Sequence, residues 1–147
     1  MPQLDNLYRE IIMEHFKHPR NKGLLDDPAY NKYRFKNPSC GDDITIQTKV
    51  AHAQITDCRH EGSGCSICCA SASIMTEMMI GREIDEAKRL AEAFVAMVKN
   101  EPYDETIALE EAEAFQGVRM FPARTKCATI SWLAFLETIK ASGGPHE

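Results

Sequence analysis

Between residues 44 and 60 the pattern of side chains admits little except a pair of antiparallel strands, and this stretch constrains everything around it. Ile44, Ile46, Thr48 and Val50 alternate with polar residues, the period-two signature of a strand with one buried face. Ala53, Ile55 and Asp57 through His60 continue the alternation after the short link Ala51-His52. A hairpin is therefore predicted, although the Asn-Gly or Asp-Gly pair that favours such turns is absent. Tyr33-Arg34-Phe35-Lys36 alternates in the same way and is predicted as a short third strand.

Helical periodicity surrounds these strands. Leu4, Leu7, Ile11 and His15, with Tyr8, Ile12 and Phe16, predict an amphipathic helix over 4–17, stopped by Pro19 and followed by a loop at Arg20-Asn21-Lys22-Gly23. Glu61-Gly62-Ser63-Gly64 reads as a break in the strand pattern. Beyond it a helix is predicted over 66–80, with Ile67, Ala70, Ile74 and Met78 on one face and Gly81 as its stop. Asp85 is the expected cap of the next helix, which turns Ala87, Leu90, Phe94 and Met97 inward and ends by Pro102. A shorter acidic helix is expected over 109–115. The last helix is expected over 128–140, burying Trp132, Leu133, Leu136 and Ile139. One helix, a small three-stranded antiparallel sheet and then several helices make an α+β fold, with the later helices on one sheet face. We expect a single domain over residues 1–147, with 141–147 as a mobile tail.

The net charge of −5 argues against a nucleic-acid protein, which needs a basic surface for phosphates. Apolar runs fall short of the roughly 20 residues that span a bilayer, so no membrane role is expected. The first residues show no basic segment followed by an apolar one, so a cytoplasmic setting with reduced thiols is expected.

In that setting the six cysteines are candidates for metal binding, thiol chemistry or burial rather than three disulfides. Cys40 lies in Asn37-Pro38-Ser39-Cys40-Gly41-Asp42, Cys65 in Gly62-Ser63-Gly64-Cys65, and Cys127 in Phe121-Pro122-Ala123-Arg124-Thr125-Lys126-Cys127. Each is expected at the edge of a regular element, with Cys65 and Cys127 at helix starts, where the dipole and free N–H groups favour a thiolate. Asp42 follows Cys40 across a glycine and is either a fourth ligand or a turn residue bonding its own backbone. Three thiolates and a carboxylate would complete a tetrahedral zinc site. Such a centre is net negative, and Arg124 and Lys126 are placed to offset it. Cys65-Ser66-Ile67-Cys68 also matches a redox dithiol, but the parallel βαβ setting of that motif is missing. Cys58, Cys68 and Cys69 are read as small buried residues. His15 and His18 suit a helix C-terminus, and His60 is read as an exposed strand-end residue or, less simply, as a metal ligand. Met75, Met78 and Met79 read as core, and Glu110-Glu111-Ala112-Glu113 as a solvated face.

These residues together resemble the SufU branch of the iron–sulfur assembly scaffold family, whose other branch is IscU. Leu7-Tyr8-Arg9, His18-Pro19-Arg20-Asn21, Cys40-Gly41-Asp42, Gly64-Cys65, Ala70-Ser71-Ala72-Ser73 and Arg124-Thr125-Lys126-Cys127 carry the resemblance over nearly the whole chain. It is to SufU rather than IscU, because Tyr103 to Gln116 is similar to an extra SufU segment and Lys126 stands where IscU proteins carry histidine. The Leu-Pro-Pro-Val-Lys chaperone motif of IscU is also absent, so no dedicated chaperone is implied.

The resemblance implies a SufE/IscU-like fold and a Zn2+ site of Cys40, Asp42, Cys65 and Cys127. It implies sulfurtransferase activity, with Cys40 accepting persulfide sulfur and Arg124 assisting. The implied partners are a SufS-type cysteine desulfurase, which carries the pyridoxal phosphate, and a SufBCD-type assembly complex. The alternative is a scaffold on which an iron–sulfur cluster is built by the same residues. Transfer requires Cys40 to leave the zinc shell, and a ligand from the docked partner is the expected replacement.

Overall fold

The computed structural model describes residues 2–38 and 41–142. The alternating stretch folds as expected. Strands β1 (Asn31–Asn37), β2 (Asp42–Ala51) and β3 (Gln54–Ser63) form one antiparallel sheet in the order β1-β2-β3. The inward face carries Ile44, Ile46, Ile55 and Cys58, all buried. His52 and Ala53 make the β2–β3 turn with φ of 54° and 63°, with Ala51 paired to Gln54. Both residues hold the left-handed conformation that a two-residue hairpin requires and that side chains disfavour. Ala53→Gly is expected to raise stability by up to about 1 kcal/mol, or about 2–4 °C in Tm. A thermal scan with Tm unchanged or lower contradicts this.

The third strand is longer than expected. It runs through Glu61, Gly62 and Ser63, with Gly62 opposite Ile44 and Ser63 opposite Asp43. The glycine is here a strand residue, because it permits a close backbone approach to β2. The far edge of β3 is covered by the predicted loop after the first helix. Gly23 N–H donates to the His60 carbonyl at 2.8 Å, and His60 N–H donates to the Asn21 carbonyl at 3.1 Å. This cover also buries His60, whose Nε2 bonds the Arg20 carbonyl at 2.9 Å. His60 is therefore neither exposed nor part of the metal group described below.

Helix α1 (Pro2–Lys17) lies against α2 (Ser66–Met79), and α2 lies on β3. From Ala70 to Thr76 every residue of α2 is buried, so this helix runs through the protein rather than along its surface. Helix α3 (Ile84–Val98) buries Ala87, Leu90, Phe94 and Met97 as expected. Its cap is Glu83, not Asp85. Ile84 N–H is drawn to the Ala53 carbonyl at 2.9 Å, which starts the helix early and leaves Asp85 in the first turn. The chain leaves α3 at Lys99, before Pro102. The acidic segment is a 3₁₀ helix over Glu110–Met120, longer than the expected 109–115.

Helix α4 (Pro122–Ser142) begins six residues before the expected 128. Pro122 starts it instead of excluding it, since a proline at the first helical position loses no hydrogen bond. Trp132 and Ile139 are buried, but Leu133 and Leu136 are only half-buried. They line a surface groove of about 510 Å³ with Phe35, and Phe135 takes the core position. Ala141 and Ser142, expected in the tail, complete the helix, and 143–147 lie outside the described residues. Phe94 stacks on Trp132 at 3.9 Å between ring centroids and meets Phe115 edge-on at 5.8 Å. Trp132 Nε1–H donates to Ser71 Oγ at 2.8 Å, and that hydroxyl donates to the Ala128 carbonyl at 2.6 Å. This ties α2 to α4, the helices that carry Cys65 and Cys127. No helix among the described residues is long and apolar enough to cross a membrane.

Candidate metal centre

Three elements deliver one side chain each to a common point. Asp42 opens β2, Cys65 is the N-cap of α2, and Cys127 stands in the second turn of α4. One carboxylate oxygen and the two Sγ atoms all lie within 4.8 Å of one another. Ligands held by one zinc at about 2.0–2.3 Å cannot sit much further apart than twice that length. The donor set and its spacing therefore fit a zinc ion after slight closure. Cys40 lies outside the described residues.

The local chain explains the convergence. Asp42 is 1% exposed and accepts the Cys65 N–H at 3.2 Å. A Cβ on Gly64 would stand 2.5 Å from Asp42 Oδ1 and 3.1 Å from Cys68 Sγ, so glycine leaves room for the carboxylate there. Cys65 adopts an extended N-cap conformation, and its side chain makes no cap bond, leaving the thiol for other work. Cys127 was expected at a helix start. It is instead 1% exposed inside α4, with its Sγ donating to the Ala123 carbonyl at 3.7 Å. Helix-start stabilisation thus applies to Cys65 and not to Cys127. Cys65 is only half-buried, which makes its side of the group the open one.

Arg124, one turn before Cys127, reaches back over the pair. Charge on Cys65 acts first, then side-chain bonds to Cys127 and Cys65 and charge on Cys127, and together they raise the guanidinium pKa. The arginine thus lies close to both thiols. Lys126 is exposed. Among the other cysteines, Cys58 is fully buried in the sheet and its thiol pKa is pushed up by burial. Cys68 is fully buried beside the group, and desolvation, then the Asp42 charge, push its thiol up as well. Cys69 is half-buried rather than buried, and its Sγ donates to the Gly64 carbonyl at 3.6 Å.

A second cluster joins His15, Glu77 and Glu111. His15 is 2% exposed, with Nδ1 2.7 Å from Ser73 Oγ and Nε2 3.0 Å from Glu111 Oε1. A carboxylate accepts, so Nε2 carries the proton and Nδ1 takes the Ser73 hydroxyl. Both ring nitrogens are engaged, and the histidine latches α1 to α2 and the 3₁₀ helix. It is a structural residue, not merely a companion to the helix dipole. The importance of Gly64 and the nearness of Cys68 were missed in the sequence, where the glycine read only as a breaker. The Cys65-x-x-Cys68 spacing was the signal that held the latter.

Residues 7–128 match the NifU-like N-terminal domain family. The zinc-dependent sulfurtransferase SufU of Bacillus subtilis (strain 168) is 45% identical over 142 residues, covering 96% of this chain and 95% of the relative. The iron–sulfur cluster assembly scaffold protein IscU of Streptococcus pyogenes serotype M1 is 38% identical over 142 residues, covering 97% and 88%. The crystal structure of a nitrogen-fixing NifU-like protein (N-terminal) from Brucella abortus superposes with a TM-score of 0.83 at 26% identity, covering 96% of this chain and 97% of that one.

Proposed function

The chain belongs to the NifU-like N-terminal domain family, and from that premise we propose that it is a zinc-dependent sulfurtransferase of iron–sulfur cluster assembly. The observation that carries this reading is the convergence of Asp42, Cys65 and Cys127 under the Arg124 guanidinium. Cys40 joins these three as the fourth ligand. A bound zinc keeps its thiol ligands deprotonated at neutral pH.

Cys40 is the sulfur acceptor. Its thiolate attacks the outer sulfur of a persulfide on a cysteine desulfurase of the SufS type. A new S–S bond forms on Cys40 as the partner's S–S bond breaks, and the electron pair leaves with the partner's thiolate. Arg124 is the cation that holds negative charge on the reacting thiols, and its exposure leaves it accessible to the docked partner. The persulfide then passes to a SufBCD-type assembly complex. The setting is the cytoplasm, in keeping with five cysteines among the described residues that form no disulfide. The alternative, a scaffold holding a nascent cluster on the same thiolates, is favoured by the similarity to scaffold proteins.

Turnover of a SufS-type desulfurase with the zinc-loaded protein separates the two. Wild type is expected to raise turnover, Cys40→Ala is expected to abolish the rise, and one extra sulfur is expected on the Cys40 peptide. No rise with the zinc-loaded wild type, together with a transferable cluster assembled in place, overturns sulfur transfer in favour of the scaffold.

A further inference from the structure

The start of α4 leaves apolar surface in the open. Met120 is 74% exposed and Phe121 is 62% exposed, whereas the other exposed large hydrophobics among the described residues lie between 37% and 50%. Lone exposed apolar residues are ordinary. These two stand instead in an unbroken exposed row from Arg119 to Arg124, with Pro122 and Ala123. The backbone fixes the row in place. Phe121 N–H donates to the Val118 carbonyl at 2.8 Å, and the Phe121 carbonyl accepts from Arg124 N–H at 2.8 Å and Thr125 N–H at 3.2 Å. Phe121 thus closes the 3₁₀ helix and opens α4, so its exposed side chain has a held base.

This tip adjoins the metal centre. Arg124, one turn on, bonds Cys65 and Cys127. Cys127 is a further turn along, which puts Phe121 about 9 Å from it along the helix axis. The surroundings are cationic. Between Glu113 and Glu137 the sequence has no Asp or Glu, in a chain of net charge −5. Arg119, Arg124 and Lys126 fall in that interval, and all three are exposed. Aromatic residues, Met and Arg are also the types enriched where proteins meet, and an aromatic side chain seated in a partner's pocket often carries much of the binding.

We propose that Met120 and Phe121, framed by Arg119, Arg124 and Lys126, are the anchor by which the chain docks on the protein that donates its sulfur. The proposal rests on the sulfur-transfer reading given above and adds the surface that does the docking. The complementary face is an apolar pocket rimmed by Asp and Glu beside the persulfide. A thiolate must touch the sulfur that it takes, so the donor covers the ground around the centre, and the tip is the apolar part of that ground on the α4 side. The cations draw the acidic rim in and fix its orientation. The ring and the thioether fill the pocket and slow dissociation.

Calorimetric binding of the zinc-loaded chain to a SufS-type desulfurase, with turnover measured beside it, tests this. Phe121→Ser is expected to raise Kd about 30-fold and to leave turnover at saturation, zinc content and Tm as in wild type. Phe121→Leu, which keeps an apolar anchor, is expected to stay within about fivefold of wild type. Arg119→Glu is expected to raise Kd about tenfold at low salt and to approach wild type as salt rises. Leu25→Ser removes an exposed side chain beside Gln47, well along β2 from Asp42, and is expected to change nothing. An unchanged Kd in Phe121→Ser overturns the anchor, as does an equal loss in Leu25→Ser. A wild-type dimer that Phe121→Ser dissociates overturns it too, because the tip is then a contact between copies. A wild type that binds without raising turnover overturns sulfur transfer instead, and the Kd of Phe121→Ser still decides the anchor. A wild type that does not bind overturns both.

Discussion

Gly62→Ala is expected to yield almost no folded protein. A Cβ at this position would stand 2.0 Å from the Asp43 carbonyl oxygen and 3.0 Å from both Asp43 C and Ile44 Cα. These are backbone atoms of the paired strand, so no side-chain rotation relieves the clash. Gly62 also holds φ at 149°, a region that disfavours side chains. Relief requires β2 and β3 to separate where Ile44 is 1% exposed and where β2 delivers Asp42 to the metal centre. The cost belongs to the rare class above about 4 kcal/mol, against a total stability of about 5–15 kcal/mol. Soluble yield and far-ultraviolet circular dichroism check this, and a cooperative melt near that of wild type refutes it.

Gly64→Ala, two residues on, is expected to do something different: keep the fold and lose the metal. Here the nearest atoms are the ends of side chains, Asp42 Oδ1 at 2.5 Å and Cys68 Sγ at 3.1 Å. Asp42 can rotate away, but it then gives up the Cys65 N–H and its place beside the two thiols. Disturbing a group that orients metal ligands typically costs 10–100-fold in affinity, and displacing a ligand puts Gly64→Ala at the upper end, about 100-fold. The apo protein is expected to melt within a few degrees of wild type. Chelator competition reads the affinity, and an unchanged value would show that Asp42 does not bind the metal.

Those two glycines also show where reading from sequence stopped. Alternation at Ile44, Ile46 and Ile55 revealed the sheet, and the spacing of Ala87, Leu90, Phe94 and Met97 revealed the buried face of α3, because both patterns are local. Gly62 and Gly64 read as breakers, since their role depends on how near another strand or side chain comes. The helix expected from 128 begins at Pro122, which moved Cys127 from a helix start into a buried second turn. Leu133 and Leu136 were expected in the core from their hydrophobicity, yet they line the surface groove with Phe35, and Phe135 is the fully buried residue. His60 and His15 are buried by partners distant in sequence, the Arg20 loop and Ser73, which no spacing rule reveals. The chemistry of the candidate site was legible from Cys-Gly-Asp, Gly-Cys and Arg-x-Lys-Cys, whereas the position of Arg124 over two thiols required the fold.

The indole of α4, stacked on Phe94 of α3 and bonded to Ser71 of α2, also gives the protein an optical probe of its own. Trp132 is the single tryptophan of the chain, so intrinsic emission excited at the indole band has one origin. Full burial against Phe94 places that emission toward short wavelength, and its N–H is bonded to the helix that begins at Cys65, while the ring rides on the helix that carries Cys127. An event that draws those two thiols together or lets them part is expected to disturb the seam in which the indole sits. Fluorescence of the unlabelled protein is therefore expected to follow the state of the centre in real time, through a chromophore hydrogen-bonded to Ser71.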